Sequence, residues 1–344
     1  MANDTLFFDS SKVFVIAELS ANHNNDLNTV MKTLRAMKDS GADAVKIQTY
    51  TVDTMTVDAK TKYFRIKGSA WDGRTLYDLY QEASLPWEWQ PIIKKYAESI
   101  GLVFFSTPFD RSSADFLEQL EVPIYKIASF EINDIPLITH VARSGKPIIL
   151  STGVATKQEI NDAIGACKSV GNNSIALLKC TSGYPAPYDE INLATIADMK
   201  NRFKTVVGIS DHTLGWEIAV AAVASGARIV EKHFILNRKN GGPDAHFSIE
   251  PDEFGMMVKA IRNVEKAIGH VTYELTKSAR DSRKYCRSLF AVKSIKRGEQ
   301  FTNENVRSIR PGNGLPPRFI TKVMGKRAAR NIRFGTPLKW DMVV

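Results

Sequence analysis

Residues 206–234 read VVGISDHTLGWEIAVAAVASGARIVEKHF, and this stretch decides the fold. It holds two short apolar runs, 206–211 and 229–234, and a helix-forming segment that stops at Gly226 lies between them. Near-continuous apolar runs of this length are typical of strands buried on both faces, as in a parallel sheet. The stretch therefore predicts a strand–helix–strand unit whose strands end on polar side chains.

The same unit recurs along the first 234 residues. The other apolar runs are VFVIAEL (13–19), AVKIQTY (44–50), LVFFSTP (102–108), IYKIAS (124–129), PIILSTG (147–153) and IALLKCTS (175–182). Helix-period segments separate them; Asp26 and Thr156 are the expected N-caps, and Gly41 ends the first helix. Eight alternations within about 250 residues predict an α/β fold, a closed (β/α)8 TIM barrel. An open doubly wound sheet is the alternative, but no GxGxxG follows the first strand.

The C-terminal part has a different character. Residues 1–270 are predicted to form the barrel domain, 271–285 a polar linker, and 286–344 a small, mostly β domain. Within the small domain, IKRGEQFTNENV (295–306) and IRFGTPLKWDMV (332–343) form a weak internal repeat. A unit of this size is marginally stable alone and would gain from docking on a barrel or a partner.

Composition and charge limit the classes of function. The chain has 344 residues, 44% hydrophobic and 24% charged, which excludes a disordered protein. No apolar run approaches the roughly 20 residues of a membrane span, and the N-terminus lacks the order of a signal peptide. Three scattered cysteines predict no disulfide scaffold, so a reducing cytoplasm is the expected location.

The basic charge is concentrated in the last fifth of the chain. Residues 272–344 hold 17 Lys and Arg against 5 Asp and Glu. Such an excess fits nucleic acid, an anionic membrane, an anionic small molecule or a solvated basic face. Aromatic and basic residues are not interleaved as in nucleic-acid stacking platforms, so we expect no nucleic-acid partner and no membrane partner.

Polar residues follow the predicted strands at the end where barrel active sites lie. Cations and hydroxyls that suit a phosphate plus a carboxylate are Lys46, Lys126, Thr107, Ser129, Ser151 and Ser210. A lysine in a barrel strand is also compatible with a Schiff-base aldolase, or with an ion pair to Glu18 or Glu231. Glu18 could activate water or simply pair with a lysine.

Two histidines end the last two predicted strands. If His212 and His233 converge, their imidazoles could hold a divalent metal with open positions for water or a carbonyl oxygen. The alternative is one structural histidine and one general acid. His23 fits a structural role.

Three loop features complete the candidate site. In GGPDAHFS (241–248), Asp244 is placed over the barrel mouth, either as a substrate partner or as a turn-stabilising residue. RPGNG (310–314) is a rigid basic turn from which Arg310 could reach an anion or a sugar. The insertion 51–85 is longer than a median connection, which indicates a functional loop or lid.

Ordered motifs along the whole chain resemble the sialic acid synthase family. They are IAELSANHN, VKIQTY, FFSTPFD, YKIAS, ILSTG, YPAPYDE, GISDHT, VEKHF, GGPDAHFS and RPGNG. The finer spelling, notably AELSANHN, VKIQTYT and WDGRTLYDLYQEASLPWEW, is most similar to the pseudaminic acid synthases of that family.

The resemblance implies an N-terminal barrel and a C-terminal antifreeze-like (SAF) domain. It implies an enzyme that condenses phosphoenolpyruvate with an N-acylated amino sugar, giving a nine-carbon 2-keto acid and phosphate. The expected sugar is 2,4-diacetamido-2,4,6-trideoxy-β-L-altrose; an N-acetylneuraminate or legionaminate synthase is the alternative. A divalent metal is implied, Mn2+ first, with Mg2+ or Co2+ as alternatives. So is a homodimer in which the SAF domain covers the partner's barrel.

The resemblance also implies a role for particular residues. His212 and His233 match metal ligands, and Glu18 matches the catalytic carboxylate. Phosphoenolpyruvate contacts are matched by Lys46, Thr107, Lys126, Ser151 and Ser210, and sugar-site positions by Gln48, Glu131, Tyr184, Asp244 and the partner's Arg310. One departure is Ser182 in CTSGYP, where sialic acid synthases usually have asparagine.

Overall fold

The computed structural model describes residues 12–68 and 71–344. Eight parallel strands close into a barrel in sequence order, as predicted. The strands are β1 Phe14–Glu18, β2 Ala44–Thr49, β3 Val103–Pro108, β4 Tyr125–Ile127, β5 Ile148–Ser151, β6 Ile175–Cys180, β7 Val206–Asp211 and β8 Ile229–His233. Each lies within the apolar run that predicts it, and the closing pair is β1 with β8.

Helices follow the strands around the outside of the barrel. They are α1 Leu27–Asp39, α2 Val52–Met55, α3 Leu76–Ala83, α4 Gln90–Ser99, α5 Arg111–Gln119, α6 Ile135–Ala142, α7 Lys157–Ser169, α8 Ala194–Phe203, α9 Glu217–Ala224 and α10 Pro251–Ile268. The predicted caps form: the Asp26 side chain accepts from the amides of Asn28 and Thr29, and Thr156 forms a capping box with Glu159. Gly41 ends α1 with a φ of +91°.

Alternation along the strands divides the side chains into two sets. Outward-facing residues form the main core between the strands and the helices. Inward-facing residues near the strand starts form a small apolar cluster that includes Phe14, Phe105 and Ile149. Further along the same strands, the inward-facing residues are polar. The apolar plug therefore leaves a polar chamber at the carboxyl end of the barrel.

The insertion between β2 and α4 is partly helical. It contains α2, α3 and a bridge between Arg65 and Thr75. His23, in the loop after β1, bonds through Nε2 to the Ala83 carbonyl oxygen at 3.1 Å, and its Nδ1 accepts from the Asn25 amide at 3.1 Å. This histidine therefore has the structural role expected of it, tying the insertion to the barrel.

The chain divides into two units, residues 1–269 and 270–344. The second unit contains α11 Lys277–Ser282, α12 Ile320–Val323 and an antiparallel pair, β9 Ser288–Ala291 with β10 Val306–Ile309. The segment predicted as a polar linker thus includes a short helix, α11. Thr276 caps that helix by accepting from the Ala279 amide.

The internal repeat is visible as paired backbone. Ile295 and Ile332, the first residues of the two copies, exchange amide-to-carbonyl hydrogen bonds of 2.8 Å in both directions. Gly298 and Gly335 occupy the same left-handed turn position, with φ of +82° and +78°. Phe301 and its counterpart Leu338 are both buried in the core of the unit. The two copies therefore pair about a local pseudo-twofold axis.

Within the part of the chain that the structure describes, no helix has the length and apolar character needed to cross a membrane.

Candidate active site

Two lysines and two glutamates form a buried charged group inside the barrel. Lys46 Nζ lies 2.6 Å from Glu18 Oε2 and 3.7 Å from Glu231 Oε1. Lys126 Nζ lies 3.9 Å from the same Glu231 oxygen. All four side chains are at most 5% exposed. When every member is ionised the group has no net charge, which is how two lysines can be buried here.

Hydroxyl groups surround the two ammonium groups. Lys46 donates to Thr107 Oγ1 at 3.2 Å, and Lys126 donates to Ser151 Oγ at 2.7 Å. Ser210 Oγ donates to Glu231 Oε1 at 3.1 Å. These contacts bring together residues from β2, β3, β4, β5, β7 and β8. Apart from Ser129, the residues predicted to hold a phosphate and a carboxylate thus form one compact cluster, the cradle.

Burial and charge sharing shift the acidities of this group. Burial raises the pKa of Glu18 to about 7, and Lys46 only partly offsets that because Glu231 competes for the same cation. Burial also lowers the pKa of Lys126. Glu231 is buried too, yet Lys126 and Lys46 lower its pKa. Of the two carboxyls, Glu18 is therefore the one able to exchange a proton near neutral pH.

The two imidazoles converge beside this group. Their ring centroids are 5.2 Å apart and the rings are edge-to-face. His212 Nδ1 donates to the Thr181 carbonyl oxygen at 3.1 Å, which leaves Nε2 of the neutral ring as an electron-pair donor. His233 Nδ1 is buried 3.6 Å from Asp244 Oδ2, too far for a hydrogen bond.

The spacing of this pair is compatible with a shared divalent ion. With metal–nitrogen bonds of about 2.1 Å, two rings on one ion have centroids roughly 5 Å apart. Among the described residues no group of three or more His, Cys, Asp or Glu could hold a metal. Two imidazoles would thus be the protein ligands, with water or substrate oxygen completing the shell.

Asp244 ties the loop after β8 to the loop after β1. Its Oδ2 accepts from Ser20 Oγ at 2.5 Å and from the Ala21 amide at 3.4 Å. These partners are more than 220 positions away in sequence, so Asp244 is not a local turn-stabilising residue. Its carboxylate instead lies at the chamber mouth beside His233.

Aromatic rings form one wall of the mouth. The Tyr184 ring lies 4.5 Å from that of His212 and 5.1 Å from that of Phe247. Trp71, from the insertion, lies 5.8 Å from Tyr184, and its Nε1 donates to the Pro243 carbonyl oxygen at 2.9 Å. The wall gives an apolar surface next to the imidazole pair.

The loops that follow β4, β5 and β6 pack tightly against one another. The Gly153 amide donates to Ser129 Oγ at 3.1 Å. A Cβ at position 153 would stand 2.8 Å from that hydroxyl and would also collide with Ser182 Oγ, so only glycine fits. Ser182 Oγ and Glu131 Oε2 are buried without hydrogen-bond partners. Buried polar atoms of this kind call for a further partner, such as a water, an ion or a bound molecule.

Models of two known protein families match the chain. A model described as the NeuB family matches residues 33–273, and a SAF domain model matches residues 287–344. The chain belongs to the NeuB family. The resemblance to sialic acid synthases and the predicted barrel with a SAF domain are both confirmed.

Similar NeuB-family proteins are named synthases of nonulosonic acids. The chain is 44% identical to the pseudaminic acid synthase of Campylobacter jejuni, over 97% of each chain. It is 43% identical to that of Helicobacter pylori, over 95% of this chain and 96% of the other. The N,N'-diacetyllegionaminic acid synthase of C. jejuni is 39% identical, over 94% and 97%.

Solved structures of the family superpose on the chain. The sialic acid synthetase of Leptospira borgpetersenii, in complex with citrate, is 32% identical with a TM-score of 0.71, over 79% of this chain and 90% of that one. Spore coat protein SpsE of Bacillus subtilis is 33% identical with a TM-score of 0.65, over 97% and 95%.

Three further polar residues of the chain differ in where the structure places them. Gln48 is half-buried one inward position beyond Lys46 on β2, paired in register with Thr107. Arg310 is an exposed residue just after β10 in the second unit, so its role at a barrel mouth stays a prediction. Of the polar strand ends, Ser106 turns outward and bonds to Thr49 at 2.6 Å.

Sequence reasoning left two features of the NeuB site out of the candidate set. Glu231, considered only as a partner for a lysine, contacts both lysines and Ser210 and so joins the two halves of the cradle. Its place in the motif EKHF, two residues before His233 on the same strand face, was an available signal. Trp71 gave no such signal, because only the folded insertion brings it to Tyr184.

Proposed function

We propose that this protein condenses phosphoenolpyruvate with 2,4-diacetamido-2,4,6-trideoxy-β-L-altrose to give pseudaminic acid and phosphate by C–O cleavage. The buried lysine–glutamate group beside the two converging imidazoles is the observation that carries this proposal. The identities of 44% and 43% to two pseudaminic acid synthases, against 39% to a legionaminic acid synthase, support this sugar. N-acetylneuraminate or legionaminate synthesis is the second candidate.

The cradle suits a small molecule with two anionic groups. Lys46 and Lys126 would bind the phosphate and the carboxylate, and Thr107, Ser151, Ser210 and Ser129 would donate hydrogen bonds to their oxygens. Citrate, present in the complex of the Leptospira relative, is likewise a small molecule with more than one anionic group. Binding both reactants in one chamber turns a bimolecular condensation into an effectively unimolecular step.

The chemistry forms one carbon–carbon bond, bonds the oxygen of a water to carbon two, and breaks the carbon–oxygen bond to phosphate. The methylene carbon of phosphoenolpyruvate attacks the aldehyde carbon of the open-chain sugar, and positive charge develops at carbon two. Water adds there, and Glu18 takes its proton. Glu18 then passes that proton to the alkoxide left by the aldehyde, and the tetrahedral intermediate expels phosphate, which carries off the remaining hydroxyl proton and leaves a ketone. With a pKa near 7, Glu18 is able to accept that proton at neutral pH.

His212 and His233 would hold a divalent ion, Mn2+ first, with Mg2+ or Co2+ as alternatives. Such an ion would act as a Lewis acid on the aldehyde oxygen. Dialysis against EDTA should abolish phosphate release, and Mn2+ should restore it. Full activity after chelation would contradict the metal proposal.

Sugar identity is tested directly by a substrate panel. Phosphoenolpyruvate is offered with the diacetamido altrose, N-acetylmannosamine and the diacetamido precursor of legionaminate, and products are read by mass. Preference for the altrose derivative supports the main proposal, while preference for another sugar moves the protein to the second candidate. Borohydride trapping of a pyruvate adduct on Lys46 or Lys126 would instead indicate an aldolase.

A homodimer is part of the proposal, with the basic SAF unit of one subunit covering the other's barrel and Arg310 reaching the sugar. Mixing and reassociating Lys46→Met and Arg310→Ala proteins tests it. About half of the reassociated dimers would be heterodimers, and each heterodimer would contain one intact composite site and one inactive site. About a quarter of parental activity should therefore return. If both units act within one chain, the mixture stays inactive. We place this reaction in the cytoplasm, with no role for nucleic acid.

A further inference from the structure

A second buried ion pair lies behind the imidazoles, outside the chamber. Lys232 Nζ lies 2.7 Å from Asp211 Oδ2, and the two side chains are 1% and 0% exposed. Asp211 and Lys232 face each other in register across β7 and β8. They are the residues that directly precede His212 and His233. Alternation along the strands sends this pair outward and the two histidines inward.

The pair also holds the residue that follows His212. Asp211 Oδ1 accepts from the Thr213 amide at 3.0 Å and from Thr213 Oγ1 at 2.7 Å. Lys232 Nζ donates to the Thr213 carbonyl oxygen at 2.8 Å. Both chain neighbours of His212 are therefore fixed by the same three side chains, which we call the Asp211–Thr213–Lys232 clamp.

His212 needs such support because it lies beyond the sheet. β7 ends at Asp211, and Asp211 with Lys232 is the last residue pair of the β7–β8 ladder. His233, in contrast, is still a member of β8 and is paired in register with Glu18 of β1. Sheet hydrogen bonds thus fix His233, whereas the clamp connects His212 to the strand that carries His233.

If folding stability were the only requirement, two apolar side chains would serve as well as Asp211 and Lys232. Desolvation offsets much of the attraction in a buried ion pair, and hydrophobic replacements of such pairs are often no less stable. In some proteins a buried charged pair instead fixes one register between two elements. That property matters where two imidazoles must keep a fixed separation.

We propose that Asp211, Thr213 and Lys232 are positioning residues that set His212 relative to His233, and thereby the affinity of the imidazole pair for a divalent ion. This inference rests on the proposed function, because it assumes that the pair binds a metal. None of the three residues is expected to touch substrate.

The decisive variant is D211N/K232M. The new amide side chain still offers an oxygen to Thr213, and no unpaired charge is left buried, but the connection between the strands is lost. We expect the Kd for Mn2+, measured from the electron paramagnetic resonance signal of free Mn2+ without substrates, to rise about 10- to 100-fold. The kcat should fall, while KM for phosphoenolpyruvate stays near the parent value because the lysine cradle is untouched.

A matched control removes an ion pair at the other end of the barrel. Arg262 lies 2.8 Å from Asp43, which precedes β2. D43N/R262M should leave Mn2+ affinity unchanged even if the melting temperature falls. Mn2+ affinity and kcat within about twofold of the parent in folded D211N/K232M would overturn the inference, since outer residues that orient metal ligands typically contribute about tenfold or more to metal affinity.

Thr213 provides the test if the double variant does not fold. Thr213→Val removes the hydroxyl that bonds to Asp211, and Thr213→Ser keeps it. Weaker Mn2+ binding in the valine variant, with recovery in the serine variant, supports the clamp; equal affinities overturn it. A parent protein that binds no Mn2+ would remove both the metal proposal and this inference, whereas a binding parent with unchanged variants removes this inference alone.

Discussion

Replacing Lys46 by methionine tests the charge balance of the chamber. The change keeps most of the side-chain volume but removes the cation that Glu18 and Glu231 share. We expect K46M to fold with clearly lower stability at pH 8 than at pH 6, because the two carboxylates are then forced together at high pH. Protonation of Glu18 at lower pH relieves part of that repulsion.

The size of the effect follows from the distances. At an effective dielectric constant of about 20, unit charges 2.6 Å and 3.7 Å apart attract by roughly 6 and roughly 4 kcal/mol. Desolvation of Lys46 offsets several kcal/mol of this, and removing one partner of a buried pair typically costs about 3–5 kcal/mol. A loss near 4 kcal/mol corresponds to a melting temperature lower by roughly 8–16 °C.

Unfolding is followed by tryptophan fluorescence and calorimetry on the full chain. Four of the five tryptophans, Trp71, Trp87, Trp89 and Trp216, lie in the barrel unit, so the fluorescence change reports mainly on it. Lys179→Met is the matched control. Lys179 is also a lysine in a barrel strand, but it donates to the Cys180 carbonyl oxygen at 2.8 Å rather than to a carboxylate.

A double variant supplies the sharper criterion. Adding Glu18→Gln to K46M removes one of the two facing carboxylates, so part of the lost stability should return, with a coupling of about 1–3 kcal/mol. The reasoning is refuted if K46M is as stable as K179M at pH 8. It is also refuted if the loss in the free energy of unfolding of the double variant equals the sum of the losses in K46M and Glu18→Gln.

Two further predictions concern activity. Because burial raises the pKa of Glu18 to about 7, kcat/KM should rise with pH and level off above about 7, where the carboxylate is free to take a proton. Burial raises the pKa of Glu131 to about 7 as well. The rise of kcat/KM with pH should therefore remain in Glu131→Gln and disappear in Glu18→Gln. Trp71→Ala should reduce the preference for the diacetamido altrose over N-acetylmannosamine by about tenfold, because the ring would pack on the C6 methyl and the C4 acetamido methyl, which N-acetylmannosamine lacks. Trp71→Phe, which keeps a ring but loses the bond to the Pro243 carbonyl oxygen, should keep most of that preference; equal selectivity in all three proteins would show that Trp71 does not read the sugar.

The barrel was predictable because double burial leaves a strong signal in sequence. Each strand is covered by helices outside and side chains inside, so an apolar run marks it almost to the residue. Capping side chains gave the helix starts for the same local reason: Asp26 and Thr156 bond to amides within three positions. Both features depend on short stretches of chain, which sequence reasoning handles well.

The site was predictable only in part, because strand geometry decides which polar ends face inward. Lys46, Thr107 and Ser210 occupy inward positions, whereas Ser106 and Asp211 are displaced by one residue and face outward. Apolar content marks a strand but not its rotation. A shift of one position moves a side chain from the chamber to the helical layer. The clamp and the aromatic wall depend on such inter-strand and loop contacts, and no local pattern reports them.

The charged group itself suggests how substrate binding and proton transfer are connected. In the ligand-free chamber Lys46 and Lys126 are neutralised by Glu18 and Glu231. An anion that enters the cradle competes with those carboxylates for the same two ammonium groups. As Lys46 turns toward the anion, Glu18 loses the contact that holds its proton affinity down, and its pKa rises further. Anion binding would thus couple occupancy of the cradle to proton uptake at Glu18.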